Sequence, residues 1–139
     1  MIQENKELLL KDFCARLPYD VKVLYDNKVY NIDYVSGTYE EIKLDDCYNN
    51  YTLNISVVKP YLFPLSSMTK EQLFEVQEIL GKNEIEIEDG FLSIINSDRN
   101  TITYLEILAV LEWFYKNHFD VNNLIERGLA IDATGLNIY

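Results

Sequence analysis

Few groups in this chain are equipped for chemistry, and their spacing limits what they can do. His118 is the one histidine among 139 residues. Its expected place near a helix C-terminus favours a charged imidazole through the helix dipole. A metal site needs companions at ligand spacing, and Cys14, Cys47 and Asp120 do not provide it. Cys47 as a nucleophile would need His118 as its base, a single pairing that the sequence does not favour. Asp45 and Asp46 are paired carboxylates, but acid–base work requires surroundings that separate their proton affinities, so a solvated loop is expected. Asn96-Ser97-Asp98-Arg99-Asn100 opens like a calcium loop, yet Thr101 stands where glycine is required and Ile107 where the bidentate glutamate belongs. Ser66 and Ser67 read as helix-capping hydroxyls before Thr69. No phosphate-binding glycine loop, nucleophile elbow or zinc pattern occurs. The expectation is no catalytic residue, no metal and no cofactor.

Composition points toward contact instead. The formal net charge is −11, with 23 acids against 12 bases, and there are 11 tyrosines. Between Glu71 and Glu112 the only bases are Lys82 and Arg99. Direct nucleic-acid binding and anionic membranes both call for clustered Lys and Arg, so neither is expected. Glu71, Glu75 and Glu78 align at helical spacing, and Glu84, Glu86 and Glu88 alternate along a strand. These six form the candidate acidic interaction face. Tyr25, Tyr30 and Tyr34 are assigned to an apolar sheet face. Tyr19, Tyr39, Tyr48, Tyr51 and Tyr61 fall at turns or loop edges, where a rigid ring with a polar tip suits an interface. The polar start Met1–Glu7 and the lack of an apolar run of roughly 20 residues predict a cytoplasmic protein that does not cross a membrane. Cys14 and Cys47 are then reduced packing residues.

The elements that must position these groups are legible from periodicity and punctuation. A helix is expected from about Asn5 to Leu17, with Leu9, Leu10, Phe13, Cys14 and Leu17 inward and Pro18 forcing Leu17 out of the helical region. An Asp26-Asn27 turn pairs Val23 with Tyr30 and Val21 with Ile32. A Ser36-Gly37-Thr38 loop then pairs Ile32 with Ile42 and Tyr30 with Leu44, with Gly37 left-handed. Leu53, Ile55 and Val57 read as a fourth strand. Lys59 to Leu65 is too rich in proline for a central strand and reads as an extended crossover.

In the second half, a helix starts at Thr69 with a Thr69/Gln72 capping box and ends at Gly81. Glu84–Glu88 and Phe91–Ile95 form a hairpin around Asp89-Gly90. A third helix opens with a Thr103/Glu106 box and is apolar on nearly every side. Such a helix is either central to the core or buried at an oligomer interface. Asp120 caps a short last helix ending at Gly128, and the tail from Leu129 to Tyr139 is expected to dock only in part.

Three stretches also look familiar together: Lys11–Tyr19, Lys59–Thr69, and His118-Phe119-Asp120 with Leu124-Ile125 and Gly128-Leu129-Ala130. They resemble a family of uncharacterised small proteins from anaerobic gut bacteria and their phages and prophages. Phe13, Asp20 and Phe63 depart from its usual leucine, glycine and arginine. The resemblance implies a phage or mobile-element context and carries no activity and no catalytic residue.

The resulting expectation is one α+β domain spanning residues 1–139. It comprises an N-terminal helix, an antiparallel meander (a curled sheet or small barrel), a helix, a hairpin, a long buried helix and a short C-terminal helix. The leading function is a non-enzymatic, phage- or prophage-associated protein-interaction protein, with the Tyr104 to Phe119 helix as the site of any self-association. The alternatives are an acidic nucleic-acid mimic that occludes a basic host protein, and a small enzyme with a carboxylate or tyrosine site.

Overall fold

The structure is a computed structural model and describes residues 1–45, 52–81, 84–89, 91–95 and 103–139. Helix α1 (Gln3–Arg16) opens the chain and tightens into a 3-10 turn over Leu17–Tyr19. Leu17 stays in the right-handed helical region (φ −50°, ψ −39°), and the chain reverses only at left-handed Asp20 (φ 52°). Pro18 therefore narrows the helix end rather than stopping it at Leu17, as a proline in a first turn can. The buried side is Leu9, Asp12, Phe13 and Arg16, while Cys14 and Leu17 are exposed. The expected inward face is thus rotated, because it left out two buried charged residues that pair with each other.

Six strands form one mixed, open sheet in the order β4-β3-β2-β1-β5-β8. They are β1 (Lys22–Tyr25), β2 (Lys28–Ser36), β3 (Glu41–Leu44), β4 (Leu53–Asn54), β5 (Lys59–Leu62) and β8 (Ile131–Asp132). The first hairpin has the expected register, Val23 opposite Tyr30 and Lys22 opposite Asn31. Asp26 and Asn27 both take positive φ (47° and 59°), the two-residue turn whose twist matches its strands.

The second hairpin differs from expectation. Ile32 pairs with Leu44 and Val35 with Ile42, across an irregularity between Ile32 and Tyr34. The extra residue lets Ile42 and Leu44 both bury, and it leaves Tyr34 48% exposed instead of on the apolar face. Glu40 (φ 51°), not Gly37, supplies the left-handed residue of this turn.

Two further strands depart from the pattern reading. Leu53–Asn54 is all that pairs of the fourth strand; Ile55–Val57 coils into a 3-10 turn whose first amide-accepting cap is the Asn54 side chain, and Val57 is exposed. The proline-containing segment is an interior strand: β5 pairs antiparallel with β1 and parallel with β8. The tail therefore docks as a sixth strand, with Leu129, Ala130 and Ala133 buried. Neither edge strand closes on the other, so the sheet is not a barrel.

The other half comprises α2 (Lys70–Ile79), the hairpin β6 (Glu84–Glu88) and β7 (Phe91–Ile95), and α3 (Tyr104–Lys116). Asp120 does accept the amides of Leu124 and Ile125 (both 2.9 Å), but the segment it caps is a series of turns and not a helix. Gly128 (φ 71°) ends those turns.

Apolar burial falls into two clusters. One packs α1 (Leu9, Phe13) on the sheet (Val23, Ile42, Leu62) with Val21, Leu124 and Leu129. The second gathers Leu65, Val76, Leu80, Ile85, Val110, Phe114 and Phe119. No helix among the described residues is long and apolar enough to cross a membrane.

Candidate interaction surface

Helix α3 begins at Thr103, whose hydroxyl accepts the Glu106 amide (3.2 Å) while Glu106 accepts the Thr103 amide (3.3 Å). This reciprocal cap and the apolar run behind it are enough to place a helix here. Its packing uses one side only. Val110 and Phe114 are buried, and Trp113 donates its indole N–H to Glu75 of α2 (3.0 Å). On the opposite side Tyr104 is 73% exposed and Leu105 75%, with Ile107, Leu108 and Leu111 exposed beside them. The helix is therefore neither central to the core nor wholly buried, as an all-round apolar pattern would suggest. It lies on the second cluster with its other face open to solvent.

The carboxylates of the candidate acidic face sit on two elements. Glu71, Glu75 and Glu78 are exposed on the outer side of α2 and surround Phe74, itself 61% exposed. Glu86 and Glu88 are exposed on the side of β6 opposite Ile85 and Ile87; the side chain of Glu84 lies outside the described residues. Val76, Leu80 and Ile85 turn toward one shared cluster. The two acidic rows therefore lie on the outer sides of separate elements, with Glu75 reaching back to Trp113.

The remaining candidates fall apart as a site. Asp45 is exposed, Cys14 is exposed and unpaired, and Asp46, Cys47 and Asn96 to Thr101 lie outside the described residues. Tyr39 is 71% exposed, whereas Tyr61 is buried within β5. Among the described residues no group of three His, Cys, Asp or Glu is placed to hold a metal.

His118 occupies the position after the α3 C-cap in a left-handed conformation (φ 62°), where the Phe119 amide reaches the Phe114 carbonyl (3.0 Å). Glycine is the usual residue there. Burial pushes the His118 pKa down to about 4, helped by the cations Arg16 and Lys22 and opposed by Asp20. The imidazole is thus neutral at pH 7, and desolvation overrides the helix-end dipole that would favour its charged form. Its ring stacks on Tyr139 at 3.8 Å and 10°. Tyr139 in turn donates to the Tyr61 carbonyl (2.7 Å) and accepts the Lys22 amide (3.0 Å). The shallow cleft of about 440 Å³ beside this stack is lined by Ser67, Thr69, Lys116 and Asn117 among others. No carboxylate, hydroxyl or thiol among the described residues is hydrogen-bonded to the imidazole, so it lacks an acid–base partner.

Sequence reasoning missed the most buried polar group. Arg16 is fully buried and forks onto Asp12 (Nε to Oδ2 2.7 Å, Nη2 to Oδ1 3.0 Å). The same Nη2 donates to the Phe119 carbonyl (2.7 Å), Asn122 donates to Asp12 (2.9 Å), and the guanidinium lies 5.0 Å from the Tyr115 ring centre. Two backbone bonds between Phe63 and the His118–Asp120 segment run alongside (2.9 and 2.8 Å). Together these contacts join the two apolar clusters. The available signal was the Asp–Arg spacing of four on the same helix side as Leu9 and Phe13.

Compared with known proteins, the chain matches no family model, no curated protein and no solved structure.

Proposed function

We propose that this chain is a non-enzymatic interaction protein that works through the open side of α3, in the phage or prophage setting that its sequence motifs imply. The observation that carries the reading is the exposure of five large apolar side chains on one face of a well-capped helix: Tyr104, Leu105, Ile107, Leu108 and Leu111. Single exposed leucines are ordinary on soluble proteins, but a contiguous row of this kind marks a contact surface. The chemistry-bearing groups support the same reading. His118 is stacked and neutral, with no hydrogen-bonded acid or base among the described residues, and the buried Arg16–Asp12 pair is engaged with the Phe119 carbonyl and Asn122.

A photo-reactive amino acid at position 108 tests this in living cells, with the same group at Tyr39, remote in sequence and more exposed (71% against 42%), as control. Cross-linking to protein from position 108 in excess of position 39 is the expected result. Absence of any protein adduct at 108 would reject the reading.

A further inference from the structure

The cleft beside the His118–Tyr139 stack adjoins a second one, also of about 440 Å³, and the two share Phe63, Gly135 and Tyr139. Tyr139 is 41% exposed; the imidazole covers one face of its ring, and the Phe63 ring stands tilted 5.8 Å away. Aromatic rings therefore form the divide across which a ligand filling both clefts would run. No Asp or Glu among the described residues lines either cleft, although the chain carries 23 of them. Lys116 supplies the one charged side chain. Glu112, four residues before it and at ion-pair spacing on the helix, accepts the Tyr19 hydroxyl instead (3.1 Å).

The hydrogen-bonding groups of the first cleft are of both kinds. Gln72 uses its Oε1 on the Thr69 amide (2.9 Å), so its NH2 remains a free donor. Thr69 accepts the Gln72 amide (3.2 Å) and keeps its hydroxyl proton. Ser67 gives its proton to the Pro64 carbonyl (2.7 Å), which leaves an oxygen that can only accept. Asn117 donates to the Trp113 carbonyl (2.8 Å) and keeps its Oδ1.

This mixture selects the ligand. A cation finds no counter-charge in the lining. An oxyanion, all acceptor, would meet the Ser67 and Asn117 oxygens inside a chain of net charge −11. A purely apolar ring would strip water from the amides and hydroxyls without replacing those bonds. A sugar hydroxyl both donates and accepts, and the C–H face of a sugar ring suits the electron-rich face of an aromatic one.

We propose that the two clefts form a binding site for a short neutral oligosaccharide. The Tyr139 and Phe63 rings lie under its middle unit, and Gln72, Thr69, Ser67 and Asn117 hold the hydroxyls at one end. The sugar is held and not cleaved, since glycoside hydrolysis ordinarily takes two carboxylates flanking the bond and no Asp or Glu among the described residues lines the site. This site is separate from the open side of α3 and stands or falls independently of it.

The test titrates the isotope-labelled whole chain with maltotriose, cellotriose, mannotriose and N-acetylchitotriose to about 10 mM, a range that covers a weak constant on the order of 0.1–1 mM. Saturable amide shifts at Gln72, Asn117 and Tyr139 with at least one trisaccharide, insensitive to salt, are the expected result. Gln72→Glu keeps the helix cap, because glutamate serves equally at that position, and removes only the free NH2. It should weaken binding roughly fivefold to tenfold without loss of thermal stability. No saturable shift with any of the four sugars overturns the proposal, as do shifts confined to residues outside the clefts. Undiminished binding by Gln72→Glu overturns the placement of the hydroxyls. Adenosine monophosphate binding more tightly than every sugar, and released by salt or by Lys116→Gln, overturns the neutral ligand.

Discussion

His118 shows how one residue's surroundings reverse an expectation drawn from its position. A helix C-terminus favours the imidazolium, yet burial, with the cations Arg16 and Lys22 nearby, lowers the pKa to about 4. In the unfolded chain the group titrates near its ordinary 6.5, so between those two values the unfolded state binds more protons. Stability is then full above about pH 6.5 and declines as the pH falls toward 4, where the folded form also protonates. Urea midpoints measured from pH 8 to 4 should fall more steeply for the wild type than for His118→Asn, which tolerates the left-handed backbone. Equal slopes would mean that the imidazole is not held neutral by the fold. The side chain's identity was legible in sequence; its protonation was not, because the tyrosine that covers it arrives from the end of the chain.

At the scale of elements, α3 carries two apolar faces with different fates. Phe114 lies on the packed face and is 1% exposed, whereas Leu108 is 42% exposed on the open one. Phe114→Ala should lose about 3–5 kcal/mol of stability, and Leu108→Ala should change it by no more than about 0.5 kcal/mol at monomer concentrations. Chemical denaturation of both at low micromolar protein checks the contrast, and similar losses would show that α3 is buried on both sides. The caps at Thr69 and Thr103, the Asp26-Asn27 turn and the Glu84–Glu88 alternation all followed from local chemistry. The second hairpin's register did not, since an irregularity between Ile32 and Tyr34 shifts the pairing without a local signal. The strand Lys59–Leu62 was hidden for a similar reason. Its proline discourages pairing in general, and only the arrival of β1 on one side and the tail on the other makes it an interior strand.

For the whole molecule, the decisive feature is the polar link between two apolar clusters. Asp12 and Arg16 are both fully buried, and Arg16 reaches the carbonyl of Phe119 in the distant second half. Asp12→Ala leaves a buried guanidinium without its counter-charge and should cost about 3–5 kcal/mol. Replacing both, as Asp12→Leu with Arg16→Met, should cost clearly less, because no charge is left stranded. Denaturation of the two variants decides this, and a double variant as unstable as the single one would place the energy elsewhere.

By itself the sequence determined the mixed α and β content, most element positions, the caps of α2 and α3 and the first hairpin. Those properties depend on neighbours a few residues apart. Only the tertiary structure decided which side of α1 is buried, where the tail docks, the charge state of His118 and which face of α3 stays open. Each of these depends on groups brought together from distant parts of the chain. Burial, which sets the strength of every polar contact, is a property of that assembly and not of local pattern.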